Sequence, residues 1–217
     1  MSSAPAATQP PIVLGIGADS GASAAWAVVA LERGRRPQLI LVQDVFGSDP
    51  HWSDRAWAGA QAVHRVAPDA TWWIERPTNH VRSSAEVRHH NSSGGLGIRV
   101  GRLQEHAYRA SGRWPVDVEP GHTAPERLAE ERAKKRCSGR PQWWWYLRGI
   151  VVLRPKTDEQ HGGGIERVDQ AARAVRGARE ALEAVPKTRR VDVAETILIA
   201  AACAIATIAV TPDARRP

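Results

Sequence analysis

Four acidic residues in this 217-residue chain lie beside apolar segments that read as buried, where a carboxylate is costly. Asp19 follows the apolar run IVLGIGA and precedes Ser20 and Gly21; Glu75 closes TWWIE just before Arg76 and Pro77. Asp192 and Glu195 precede the apolar stretch 197–210 and are three residues apart, so on a helix they project from one face about one turn apart. A buried acid needs partners or a metal, and like charges at that helical spacing are destabilising unless a cation lies between them. If the segments ending in Asp19 and Glu75 are neighbouring strands, with the last helix packed across them, all four carboxylates surround one site. Hard oxygen ligands in that number select Mg²⁺, with Mn²⁺ as a substitute, over Zn²⁺. Two such ions about 4 Å apart form the arrangement that activates water and stabilises the leaving oxygen in phosphodiester hydrolysis.

Blander readings exist for each acid. Asp19 can cap a turn, and Glu75 can be a surface acid at a strand end. Asp192 can be the N-cap of its helix with Glu195 completing a capping box, a reading that explains these two without metal but leaves Asp19 and Glu75 unexplained. Gly15-x-Gly17 is not a dinucleotide fingerprint, because Ser20 stands where the third glycine is needed and a strand follows. His89 and His90 lack an H-E-x-x-H or cysteine partner and read as solvated loop histidines.

The elements that must position the acids follow from periodicity. Residues 12–16 read as a buried strand, with Gly15, Gly17 and Gly21 permitting tight turns, and 24–31 as a strand returning beside it. Residues 38–45 give a third antiparallel strand after a short hairpin spacer. Ser53 and Asp54 can cap a helix running to about Ala67, with Trp57, Ala60, Val63 and Ala67 on one face and Pro68 stopping it. The strand 71–75 then comes after a helical crossover, which makes it parallel to the first. From Ser93 the spacing of Leu96, Val100, Leu103, Ala107 and Ala110 predicts a helix ended by Gly112, with Gly97 and Gly101 one turn apart as a point of close approach. Residues 115–119 read as a short fifth strand. Thr123, Pro125 and Glu126 open a charged helix to about Arg136, and Val168, Ala172, Val175, Leu182 and Val185 predict one amphipathic helix from Ile165, closed by Pro186. The final apolar segment carries Glu195 and reads as a buried core helix in preference to a membrane span. Residues 12–210 thus form one α/β domain between flexible tails at 1–11 and 211–217.

Thirty Lys and Arg against 23 Asp and Glu leave a net charge of +7, which favours a polyanionic partner such as nucleic acid. The candidate DNA contacts are Lys134, Lys135, Arg136, Arg154, Lys156 and Arg190, with Trp143 and Trp144 from the run WWWY. Three successive tryptophans cannot all point inward from a helix or a strand, so at least one is exposed, suited to base stacking or to a dimer contact. This Trp-rich basic segment spans about 137–164. Cys137 and Cys203 fit neither a disulfide framework nor a zinc site, and the first residues lack a signal-peptide pattern, so a reducing compartment, the cytoplasm, is expected.

A glycine-flanked Asp at a β-hairpin, a Glu closing a later strand and D-x-x-[DE] on an Ala/Ile-rich terminal helix together resemble the RuvC family of Holliday junction resolvases, within the RNase H-like superfamily, and its phage-type members most. The resemblance covers roughly 12–110 and 189–206; Glu195 stands where bacterial members usually carry Asp. It implies a mixed five-stranded sheet, three antiparallel strands followed by parallel ones, flanked by helices. It further implies a homodimer that cuts four-way DNA junctions with Mg²⁺ held by Asp19, Glu75, Asp192 and Glu195, in the host cytoplasm if phage-encoded. An actin-like phosphotransferase shares the glycine-flanked Asp but needs a second such domain. A catalytically silent junction-binding protein would keep the charge and the tryptophans without needing the acids.

Overall fold

The computed structural model describes residues 12–19, 23–46, 50–75, 84–118 and 163–210. Strands β1 (Ile12–Asp19), β2 (Ser23–Glu32) and β3 (Gln38–Phe46) come first, then α1 (Trp52–Val66), β4 (Thr71–Glu75), α2 (Ser84–Ser111) and β5 (Val116–Val118). Helices α3 (Gly163–Ala174) and α4 (Ala178–Ala184), a 3₁₀ turn (Lys187–Arg189) and α5 (Arg190–Val210) complete it. The sheet order is β3-β2-β1-β4-β5, with β1–β2 and β2–β3 antiparallel and β1–β4 and β4–β5 parallel. The helical crossover between β1's hairpin and β4 accounts for the change of direction.

Strand parity divides the core in two. Ile16, Ala18, Trp26, Val28, Trp72 and Ile74 pack with α1 and with Leu103 and Ala107 of α2. On this side Trp26 and Trp72 meet edge to face at 5.3 Å, and the Trp26 indole Nε1 donates to Ala56 O at 3.0 Å, so the buried polar tip is satisfied. Ala25, Ala27, Val29 and Trp73 face the other way, against α3, α4 and α5. Residues 193–204 of α5 are wholly buried apart from half-buried Glu195, so this long apolar helix is the core element expected and its hydrophobicity on nearly all sides is used inside the fold.

Four local expectations are corrected. Gly15 and Gly17 do not make turns: they lie within β1, and positive φ among the described glycines occurs at Gly34, Gly112 and Gly177. Ser53 does not cap α1, whose N-cap is His51 without a side-chain bond; the Ser53 hydroxyl instead pairs with His106 Nε2 of α2 at 3.2 Å. Helix α2 starts at Ser84, so His89 and His90 are helical and not in a loop. The helix expected from Ile165 to Val185 is broken. Gly177 adopts φ 80°, Arg176 N donates to Pro37 O at 2.8 Å, and Leu39 N donates to Arg176 O at 2.9 Å. The chain leaves helical geometry there because those backbone groups pair with the start of β3.

Candidate metal centre

Alternation along β1 and β4 decides which side chains meet α5. Ala18 and Ile74 face the α1 side, so the next residue on each strand, Asp19 and Glu75, faces the α5 side. The parallel register pairs Gly17 with Trp73 and Ala18 with Ile74, which sets the two acids side by side at the carboxyl ends of adjacent strands. Both are buried, at 6% and 8% exposure. An acid held this deep is satisfied by polar partners or cations, not by bulk water.

Glu195 arrives on α5 through an unusually close helix–sheet contact. A Cβ on Gly15 would overlap Ala200 O and Ala204 N; one on Gly17 would overlap Ala200 N and lie 2.7 Å from Thr196 O. Bare backbone in β1 therefore lets α5 lie directly against the strand, and Thr196, seated over Gly17, is the neighbour of Glu195. One carboxylate oxygen from each of Asp19, Glu75 and Glu195 lies within 4.8 Å of the others.

Asp192 is not in this trio. It lies three residues earlier on α5, about 4.5 Å along the axis from Glu195, and falls outside the grouping within 4.8 Å. Asp192 is not an N-cap either: it is the third residue of α5, which continues from the 3₁₀ turn, and its carbonyl accepts a bond from Thr196 Oγ1 at 2.9 Å. An acid in this first turn is favourable to the helix dipole.

Two arginines bracket the trio's helix, and neither is among the candidates the sequence points to. Arg167 of α3 is buried at 6% exposure, with Nε 3.3 Å from Glu195 Oε1. Its helical stripe with Ala171 and Ala174 was the available signal, since that spacing puts a cation on an inward face. Arg189 binds Asp44 of β3 at 2.7 Å and so ties the turn preceding α5 to the sheet. Burial raises the Asp44 carboxyl above its ordinary range, against the lowering pull of Arg189.

Of the expected DNA contacts, Arg190 is described: its Nε donates to Val185 O at 2.9 Å and its NH2 to Glu183 O at 3.1 Å, closing the end of α4. Lys134, Lys135, Arg136, Trp143, Trp144, Arg154 and Lys156 lie outside the described residues, as does the helix expected at 123–136.

Three converging carboxylates, two of them buried, are a hard anionic donor set that fits a divalent cation of the Mg²⁺ class. No protein-family model matches the chain, and no curated protein matches it in sequence. Among solved structures it is similar to Thermus thermophilus RuvC, with a TM-score of 0.51 and 16% identity over 92% of this chain and 96% of that one. It is also similar to T. thermophilus RuvC in complex with Holliday junction substrate, with a TM-score of 0.45 and 15% identity over 91% of this chain and 96% of that one. The mixed five-stranded sheet with its flanking helices is a RuvC-type, RNase H-like fold.

Proposed function

From a RuvC-type fold closed over three converging carboxylates, we propose that this chain is a metal-dependent endonuclease that cuts branched DNA, four-way junctions foremost. The observation that carries the reading is the approach of Asp19, Glu75 and Glu195 to within 4.8 Å at the carboxyl ends of β1 and β4. The junction substrate, the homodimer and the affinity with phage-type members are supported by the motif order in the sequence. The cytoplasm is the compartment consistent with its cysteine pattern.

In this reading Asp19 and Glu75 are the rigid ligands, because each is the last residue of a buried strand and cannot shift without the sheet. Glu195 supplies the third oxygen from the helix packed across the strands, and Asp192 is the fourth acid, one helical turn away. Divalent ions bound here, Mg²⁺ or Mn²⁺, would supply activation of water and stabilisation of the leaving oxygen in phosphodiester hydrolysis. Burial of the strand-end acids keeps their oxygens directed at one point and excludes water from behind them. The basic and tryptophan residues at 134–136, 143–144, 154 and 156 are the proposed DNA contacts; Arg190, engaged with two carbonyls, serves the scaffold.

The test is cleavage of synthetic four-way, three-way and duplex DNA with Mg²⁺ or Mn²⁺. Asp19→Asn and Glu75→Gln are each expected to lower the rate at least about a hundredfold while leaving the fold and junction binding in place. Wild-type protein that leaves four-way junctions uncut with both metals, as inactive as Asp19→Asn, overturns the proposal.

A further inference from the structure

Three carboxylates gathered within a few ångströms, two of them buried, repel one another strongly, and the repulsion is largest in the absence of a bound cation. Arg167 lies against this group on the inward stripe of α3, at the position where Ala171 and Ala174 place methyl groups one and two turns later. A guanidinium stays charged at any ordinary pH, and its burial carries a desolvation cost that a packed apolar side chain would avoid. What offsets that cost is the negative charge the guanidinium faces, so the cation at the head of this stripe is tied to the acids and not to the packing. Its contact, Nε to Glu195 Oε1 at 3.3 Å, is to the one acid of the trio carried on the helix and not on the sheet.

We infer that Arg167 is a positioning residue that acts as the built-in counter-charge of the acidic trio: it holds Glu195 in place before metal arrives and competes with the divalent ion for that carboxylate. This rests on the metal-binding reading of the trio and extends it to the regulation of ion affinity. Arginine and ion answer the same negative charge, so removal of the arginine leaves a metal-free site that is less stable and binds cations more tightly. A purely structural ion pair has a different signature, loss of stability with ion affinity unchanged.

The experiment is calorimetric titration of the full chain with Mn²⁺, together with thermal melts in chelator and in Mn²⁺, for wild type, Arg167→Met and Arg167→Lys. The Met variant is expected to bind Mn²⁺ about tenfold more tightly, the effect of relieving like-charge repulsion at close range. It should also melt lower in chelator and gain more from Mn²⁺ than wild type does. The Lys variant, which keeps the charge, should remain within about threefold of wild type by the same reasoning. If Arg167→Met does not fold, Arg167→Gln is measured with the same expectation. Neutral variants that bind Mn²⁺ with unchanged or weaker affinity overturn the inference while leaving the metal centre standing. Wild-type protein that binds no Mn²⁺ overturns the metal centre and this inference with it.

Discussion

Asp44 shows how a single side chain can oppose the usual acid lability of a fold. Its carboxyl is raised above 3.8 in the folded chain because burial outweighs the Arg189 ion pair, so the folded state holds this proton more tightly than the unfolded state. The stability linked to that proton is fully present below pH 3.8 and is lost as pH rises through the raised folded value. Asp44→Asn removes the titration, so the stability of the variant relative to wild type should improve from about pH 3.5 to about pH 7. Urea denaturation across that range checks it; a constant difference would contradict the assignment. The acids Asp19, Glu75 and Glu195 were legible in the sequence because each interrupts or ends an apolar run. Arg167 was not, because its meaning depends on α3 packing against α5, a contact between segments with no pattern in common.

At the scale of the element, α5 is set by what β1 lacks. In the sequence Gly15 and Gly17 suggest turn freedom, yet their role is the missing Cβ that admits Ala200 and Ala204. Sequence alone does not separate these uses of glycine, since both call for a small residue and only the tertiary partner differs. Gly17→Ala must push α5 outward, because the obstructing atoms are backbone: Ala200 N and Thr196 O. The expected cost is about 3 kcal/mol of stability, the upper part of the usual range for overpacking. Cleavage should fall more steeply than the folded fraction does, since Glu195 moves with the helix. Melting curves beside cleavage rates distinguish this from simple unfolding. The five strands were legible from alternation, and the directions of the first four from the hairpin spacers and the intervening helix; the direction of the fifth followed only from the family resemblance. The break at Gly177 was not legible, since it answers to a bridge between Arg176 and Gln38, 138 residues apart.

Across the whole molecule, the excess of basic residues divides into two populations. Arg36 donates to Ala172 O and Ala174 O at the end of α3, Arg33 to Ile208 O near the end of α5, and Arg190 to the end of α4. These cations complement the negative ends of helices and belong to the scaffold. The net charge of +7 is therefore a poor guide to the number of phosphates engaged, because part of it is directed at the protein's own carbonyls. Arg190→Gln should cost about 2 kcal/mol of stability through lost charge-assisted bonds. It should leave unchanged the slope of log junction affinity against log salt, which counts phosphate contacts. Lys134→Gln, at a proposed DNA contact, should make that slope shallower by about one. Binding titrations over a salt series measure both.

The backbone contact between β1 and α5 also orders events in time. Asp19 lies on the first described strand and Glu195 on the last described helix, so synthesis delivers the two ends of the trio far apart. Until α5 has been made and has docked, Ala25, Ala27, Val29 and Trp73 lack the cover that α5 gives them. A growing chain at that stage has an adhesive sheet face and an incomplete acidic trio. The glycine groove is thus both the seat of the last helix and the point at which a nascent chain passes from vulnerable to complete.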